Sequence, residues 1–141
     1  MKLITQEIRK KLLANYGHPL TAKPELKLFA PWGAATWLIS EMDPEDENYL
    51  YGLCDMGMGS PEVGSVYLPE LKKAEGPFGL KIERDLHWTP EKTLTEYVDE
   101  AVDAGRILSL EARHEIHIRN HRLRRRAGGD SVLSHSVRRL K

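Results

Sequence analysis

The stretch AATWLISEMDPEDENYLYGLCD, residues 34–55, decides the fold. Two apolar runs within it, residues 34–41 and 49–55, are rich in aromatic and β-branched residues and have the length of strands. The DPEDEN segment between them, residues 43–48, is acidic and contains Pro44, as is typical of an exposed turn. The stretch therefore predicts a pair of strands on either side of an acidic turn.

Side chains along the first of these strands alternate between two faces of a sheet. Trp37 and Ile39 fall on one face, and the other face takes Thr36, Leu38 and Ser40. Further apolar runs predict strands at residues 26–30, 65–68 and 80–88. Together they predict an α+β fold, in which an antiparallel sheet of four to five strands is covered by helices on one face.

Helix signals precede and interrupt the strands. Thr5 has the hydroxyl of an N-cap and Gly17 suits the left-handed C′ position, so an N-terminal helix is predicted between them. Pro69 suits the first position of a short helical turn over residues 69–73.

Two C-terminal helices are predicted after the last strand. Thr89-Pro90-Glu91 has the signature of a helix start, and the apolar spacing that follows continues to Gly105. Ser109 is a candidate cap for a last helix that reaches about Arg126. The predicted organisation is an α+β core, a helical pair packed on it or extending from it, and a basic tail, over residues 1–90, 91–126 and 127–141.

Composition places the chain among soluble globular proteins. Its 141 residues are 40% hydrophobic and 30% charged, and no apolar run approaches the roughly 20 residues of a membrane span. Cys54 is the only cysteine, which excludes an intrachain disulfide and is typical of a reducing compartment. We therefore expect a cytoplasmic protein with no membrane partner.

The formal net charge of zero hides an uneven distribution along the chain. Residues 1–105 contain 11 Lys and Arg against 18 Asp and Glu, whereas residues 106–141 contain 10 against 3. Such asymmetry indicates either a polyanionic partner for the basic end or an acidic protein surface on which it docks.

The last predicted helix carries most of this basic charge, in the stretch ARHEIHIRNHRLRRRAGGD, residues 112–130. Its guanidinium groups suit phosphate oxygens and would bind a polyanion through counterion release, with little base specificity. Ala112, Ile116 and Leu123 form a stripe that is predicted to face the body of the protein. The residues expected to bind nucleic acid or an acidic partner are Arg113, Arg119, Arg122, Arg124, Arg125, Arg126, Arg138 and Arg139.

Three histidines share one side of the same helix. His114, His117 and His121 follow a spacing that lets two of them chelate a transition metal. No glutamate lies between His117 and His121 to act as a base, and the nearby arginines raise the electrostatic cost of binding a dication. We therefore predict no metal and no cofactor, and we expect the histidines to strengthen polyanion binding below about pH 6.5, where they gain charge.

A second group of candidates lies in the predicted strand 80–88. Alternation places Leu80, Ile82, Leu86 and Trp88 on one face, and the other face takes Lys81, Glu83, Asp85 and His87. Two carboxylates and an imidazole this close suit a divalent ion or acid–base chemistry. The same alternation is typical of a half-exposed strand whose charges resist aggregation, and this surface interpretation is favoured.

Four stretches carry a likeness to a known family: MKLITQEIRKKL, ATWLISEMDPEDENYLYGL, GSVYLPELKK and, most specifically, GPFGLKIERDLHW. Over residues 1 to about 90 the chain resembles the small bacterial proteins classed as domain of unknown function twenty-nine fifty-eight. The resemblance implies a bacterial cytoplasm and an accessory gene of a plasmid or other mobile element. It brings no activity and no catalytic residue, and the basic helix lies outside it.

These observations favour a non-enzymatic accessory protein that binds DNA or RNA through its arginine-rich C-terminal helix. The alternative is a protein-interaction module, such as an inhibitor, an anti-defence factor or a self-assembling subunit, whose basic region docks on an acidic surface. A metal-dependent hydrolase that uses Glu83, Asp85 and His87 is the third interpretation.

Overall fold

The computed structural model describes residues 1–127, and within the last helix it describes the side chains at positions 115, 118, 119 and 121–126. The chain divides into two compact units, Met1–Ile107 and Leu108–Lys141. All strands of the described residues belong to the first unit. None of the helices in this part of the chain combines the length and the apolar character needed to cross a membrane.

The first unit is built on a five-stranded antiparallel sheet, which confirms the predicted α+β class. Its strands are β1 (Leu26–Phe29), β2 (Thr36–Met42), β3 (Tyr49–Asp55), β4 (Glu62–Tyr67) and β5 (Glu83–Arg84). They lie in the order β4-β3-β2-β1-β5, so β1 to β4 form a meander and β5 returns to pair with β1 at the far edge. The predicted strand pair of residues 34–55 is thus the β2–β3 hairpin at the centre of the sheet.

The helices of the described residues are α1 (Gln6–Ala14), α2 (Leu68–Lys73), α3 (Leu94–Ala104) and α4 (Leu110–Ala127). The Thr5 hydroxyl accepts the N–H of Ile8 at 3.2 Å, which confirms the predicted cap of α1. The C-cap of α1 is Asn15, so Gly17, with a φ of +86°, lies two residues beyond the cap and not at C′.

Apolar side chains form two clusters on opposite faces of the sheet. Trp37 and Ile39 join the larger cluster, together with Leu12 of α1 and Leu71 of α2. The second cluster consists of Leu38, Leu53, Leu94, Tyr97 and Ala101, of which the last three belong to α3. The predicted alternation of β2 is confirmed, but helices cover both faces, because β2 presents apolar side chains on both and each set needs cover.

The predicted strand 80–88 is wrong over most of its length. Only Glu83 and Arg84 pair with β1, and the apolar face fails because Leu80 is 39% and Leu86 is 61% exposed. The partner strand β1 has only four residues, and its contacts with this run end at Lys27, whose carbonyl accepts the N–H of Asp85 at 3.0 Å. The pairing therefore stops well before residue 88.

The predicted helix start at Thr89 is also wrong, because α3 begins four residues later. The Thr93 hydroxyl accepts the N–H of Glu96 at 3.3 Å, and the Glu96 carboxylate accepts the N–H of Thr93 at 3.0 Å, which completes a capping box. Tertiary contacts fix the start, since the N–H of Leu94 donates to the carbonyl of Ala22 at 2.9 Å.

Asp55 connects the end of β3 to the end of the first unit. This side chain is 3% exposed, and its two oxygens accept the N–H groups of Gly57 and Ile107, each at 2.9 Å. A buried carboxylate is tolerated when such hydrogen bonds replace its lost hydration. The last residue of the first unit is therefore bonded to an interior strand.

Candidate nucleic-acid interface

Six arginines of the second unit lie on α4. The helix has 18 residues, which corresponds to a length of about 27 Å. Six of its residues are arginines and two are glutamates, so the helix carries a clear excess of positive charge. Arg124, Arg125 and Arg126 lie in its last turn, where cations interact favourably with the negative end of the helix dipole.

The described cationic side chains of α4 are exposed. They are Arg119, Arg122, Arg124, Arg125 and Arg126, with His121 beside them. At 100° per residue, Arg119, Arg122 and Arg126 fall within a stripe 60° wide and about 10 Å long. We call these three residues the arginine stripe.

One apolar residue of α4 does not behave as predicted. Leu123 was expected on a covered stripe, but it is 55% exposed, and Ile118 is 51% exposed. The helix has too few apolar residues to define a covered face, because charged residues and histidines occupy most of its 18 positions.

Within the described side chains of α4, the arginine stripe is not neutralised by the helix itself. Glu115 is the acidic residue among them, and it is exposed. It precedes Arg119 by four residues, the spacing at which helical ion pairs form, yet no ion pair within 4.0 Å joins the two in the described residues. Among the described side chains, the guanidinium groups of the stripe therefore form no ion pair with Glu115, the acidic residue of α4 whose side chain the structure describes.

Several predicted binding residues lie beyond what the structure describes. Arg113, His114 and His117 belong to α4, but their side chains are outside the described set. Arg138 and Arg139 lie outside the described residues. Of the three histidines, the structure thus describes the side chain of His121, which is exposed.

The four candidates of the run 80–88 are not brought together as a site. Asp85 lies 3.6 Å from Lys27 Nζ, and its Oδ1 accepts the N–H of His87 at 3.0 Å. Lys81 forms a separate ion pair with Glu75 at 3.2 Å, and Glu83 pairs with Phe29 in the sheet. Among residues 1–127 as described, no group of three His, Cys, Asp or Glu side chains is placed to hold a metal ion.

Cys54 has the environment of an unreactive thiol. It lies in β3 and is half-buried. Burial raises the pKa of the thiol, which lowers the fraction of the nucleophilic thiolate. This is the environment expected of a structural cysteine.

Sequence reasoning missed a cleft in the first unit that is lined by Glu41 and three tyrosines. Glu41 is 7% exposed although it is charged. The one signal in the sequence is the acidic residue inside an otherwise buried strand. That signal does not reveal which face of the sheet the residue occupies.

Comparison with known proteins gives one match. A family model described as "Protein of unknown function (DUF2958)" matches residues 3–108. No curated protein and no solved structure matches the chain. The matched region ends within one residue of the first compact unit and includes α3, which the resemblance over residues 1 to about 90 did not reach.

Proposed function

Because the chain belongs to this family of proteins of unknown function, and the family model ends before α4, we propose that α4 adds a nucleic-acid-binding element to the family fold. The protein then acts as a non-enzymatic accessory factor that binds DNA or RNA. The proposal rests on one observation, the exposed arginine stripe together with Arg124 and Arg125.

The chemistry of the stripe suits phosphate groups better than base edges. Arginine presents a planar fork of donors that matches two phosphate oxygens at once. Binding of this type releases counterions, so affinity falls steeply with salt and depends little on sequence. If the three guanidinium groups of the stripe each neutralise one phosphate, the logarithm of the association constant falls with a slope of about −3 against the logarithm of salt on duplex DNA.

The test is fluorescence anisotropy with a labelled duplex of mixed sequence, titrated at several salt concentrations. The triple variant Arg119→Gln, Arg122→Gln, Arg126→Gln should weaken binding by about ten-fold or more at low salt and flatten the salt slope by about three. The matched control removes three exposed lysines of the first unit, Lys10→Gln, Lys23→Gln and Lys73→Gln, and so changes the net charge equally.

Two results would overturn the proposal. One is affinity that does not change with salt. The other is equal weakening in the lysine control, which would mean that binding follows overall charge and not α4.

A protein-interaction module is the second candidate, favoured by the acidic excess of residues 1–105. Part of the acidic turn is already engaged, because hydrogen bonds from Arg9, both 2.6 Å long, lower the pKa of Glu47. Asp43, Glu45 and Asp46 make no ion pair in the described residues. Under this candidate the basic region docks on such a surface of another protein or of a second copy, as an inhibitor, an anti-defence factor or a self-assembling subunit would.

Sedimentation without nucleic acid separates the two candidates. Self-association that is lost as salt rises supports docking, whereas a monomer at all salt concentrations speaks against a self-assembling subunit. Metal analysis of the purified protein tests the third interpretation, a hydrolase that uses Glu83, Asp85 and His87. Its support is weak because Asp85 is engaged by Lys27.

The setting that we propose is a bacterial cytoplasm and a plasmid or other mobile element.

A further inference from the structure

The cleft in the first unit has the size of a small-ligand site. It is an open cleft of about 510 Å³ beside the β2–β3 hairpin and the loop that follows α1. Tyr16, Tyr49 and Tyr51 form its walls, and Glu41 and Asp43 supply carboxylates. None of the described residues that line it is basic.

A β-bulge places Glu41 in this cleft. The register between β2 and β3 shifts between Ile39 and Glu41, so that Glu41 lies opposite Tyr51 while Met42 lies opposite Leu50. Without the extra residue, Glu41 would share a face with Ile39 and enter the larger apolar cluster. The bulge instead returns Met42 to that cluster and turns Glu41 to the face of Tyr51.

The Glu41 carboxylate is held at one oxygen and open at the other. Its Oε1 accepts the N–H of Gly17 at 2.9 Å, and that glycine has a φ of +86°, which favours glycine over other residues. Its Oε2 has no hydrogen-bond partner in the described residues, although the residue is only 7% exposed. Every fully buried side-chain oxygen of the described residues has a partner, so this Oε2 keeps some exposure to solvent, and Glu41 lines the cleft.

The tyrosines complete an environment for positive charge. Tyr16 is 50% and Tyr49 is 46% exposed. The centroid of the Tyr49 ring lies 5.0 Å from that of Tyr67 on the neighbouring strand, and this contact restricts the motion of the Tyr49 ring. Aromatic faces attract cations, and a partly desolvated carboxylate binds an N–H donor more strongly than an exposed one.

We infer that this cleft binds an organic cation, an alkylammonium or guanidinium group, with Glu41 Oε2 as the acceptor and the tyrosine rings as walls. The ligand is either a free amine or guanidine, or the side chain of a lysine or arginine on a peptide. Asp43 adds a second negative charge at the cleft. The inference concerns the first unit and does not depend on α4.

The test follows the backbone amide of Gly17, which reports directly on Glu41, by nuclear magnetic resonance of the full chain. The probes are N-acetyl-argininamide, n-butylammonium and a capped Gly-Arg-Gly peptide. N-acetyl-citrullinamide is the neutral counterpart of the first probe. We expect saturable shifts with a cationic probe at a Kd on the order of 1 mM and none with citrulline. Stronger binding of the peptide than of the free probes identifies a protein side chain as the ligand.

Variants locate the binding. Glu41→Gln keeps an oxygen that accepts the N–H of Gly17 but loses the charge. It should lower the affinity for the cationic probe by about ten-fold or more. Tyr49→Leu should weaken it by about three-fold. Glu45→Gln is the control, because Glu45 is an exposed acid nearby that does not line the cleft.

Three results would overturn the inference. They are the absence of saturable shifts in the wild-type chain, equal binding of the arginine and citrulline probes, and displacement of the organic probes by Mg²⁺ or Ca²⁺ at lower concentration. If Glu41→Gln fails to fold, the question is still decided by Tyr49→Leu and by the comparison of N-acetyl-argininamide with its neutral counterpart N-acetyl-citrullinamide.

Discussion

At the residue scale, two glycines that lie opposite each other on neighbouring strands differ in the space around them. Gly52 of β3 lies opposite Gly64 of β4. A Cβ at Gly52 would lie 2.1 Å from the carbonyl oxygen of Leu38 and 2.8 Å from Cα of Ile39, whereas a Cβ at Gly64 meets nothing within 4 Å. Gly52 therefore permits the close approach of β2 and β3 next to the bulge, and Gly64 has no such role.

We predict that Gly52→Ala lowers the free energy of unfolding by about 2–3 kcal/mol, because the β2 backbone must move away from the new methyl group. Gly64→Ala, in the same register pair, should change it by less than about 0.5 kcal/mol or raise it slightly. Urea unfolding of both variants measures the difference. Equal stability of the two variants would contradict the close approach.

The residue scale also shows what the sequence conceals. The exposure of the α4 arginines could be predicted from composition, because a helix with so many charged residues has no apolar face that could pack against another element. Glu41 could not be placed from the sequence, since its face depends on one extra residue at the bulge. A shift of one position in register exchanges the two faces of a strand.

At the element scale, capping decides where α3 begins, and the sequence predicts that cap at the wrong threonine. Thr89 has the stronger local signature, with proline after it, but the structure uses Thr93 and Glu96. The segment between them is fixed by other contacts, among them the N–H of Glu91, which donates to the Tyr97 hydroxyl at 3.0 Å. Local propensity predicted α3 itself, but long-range hydrogen bonds set its first residue.

We predict that Thr93→Ala lowers the free energy of unfolding by about 1 kcal/mol, as expected for the loss of an N-cap. Thr89→Ala should have almost no effect, because Thr89 is exposed and caps nothing in the described residues. Thermal unfolding at neutral pH compares the two. A larger loss in Thr89→Ala would contradict the observed cap.

The same box gives a pH dependence. The backbone N–H of Thr93, and then its hydroxyl, hold the pKa of Glu96 below its ordinary value. A carboxylate whose pKa is lowered on folding stabilises the fold fully above its unfolded pKa, and this contribution is lost as pH falls through the lowered value. The stability advantage of the wild type over Glu96→Ala, which loses both hydrogen bonds, should therefore shrink in acid, and urea unfolding of the two proteins at neutral and acidic pH measures it.

At the scale of the whole molecule, two independent observations place a boundary near residue 108. The first compact unit ends at Ile107, and the family model ends at residue 108. Both apolar clusters draw their members from residues 1–107. The α+β class could be predicted from the strand and helix signals, but this boundary could not, because the α3 pattern alone does not show which cluster the helix joins.

We predict that a fragment of residues 1–108 folds cooperatively, with a midpoint of thermal unfolding within about 4 °C of the full chain. It should lose salt-dependent binding of duplex DNA while it keeps the shift of the Gly17 amide with a cationic probe. Calorimetry and the two binding assays test this. An unfolded or aggregated fragment would show that the core needs residues beyond 108.

The bond between Asp55 and Ile107 has a mechanical consequence. The chain leaves the first unit from a point that is anchored to β3, a strand with neighbours on both sides. A force applied to the segment after Ile107 would act on the interior of the sheet, where several hydrogen bonds must break together. It would not detach a terminal segment one hydrogen bond at a time. If α4 holds a polymer under tension, the load reaches β3, an interior strand of the sheet.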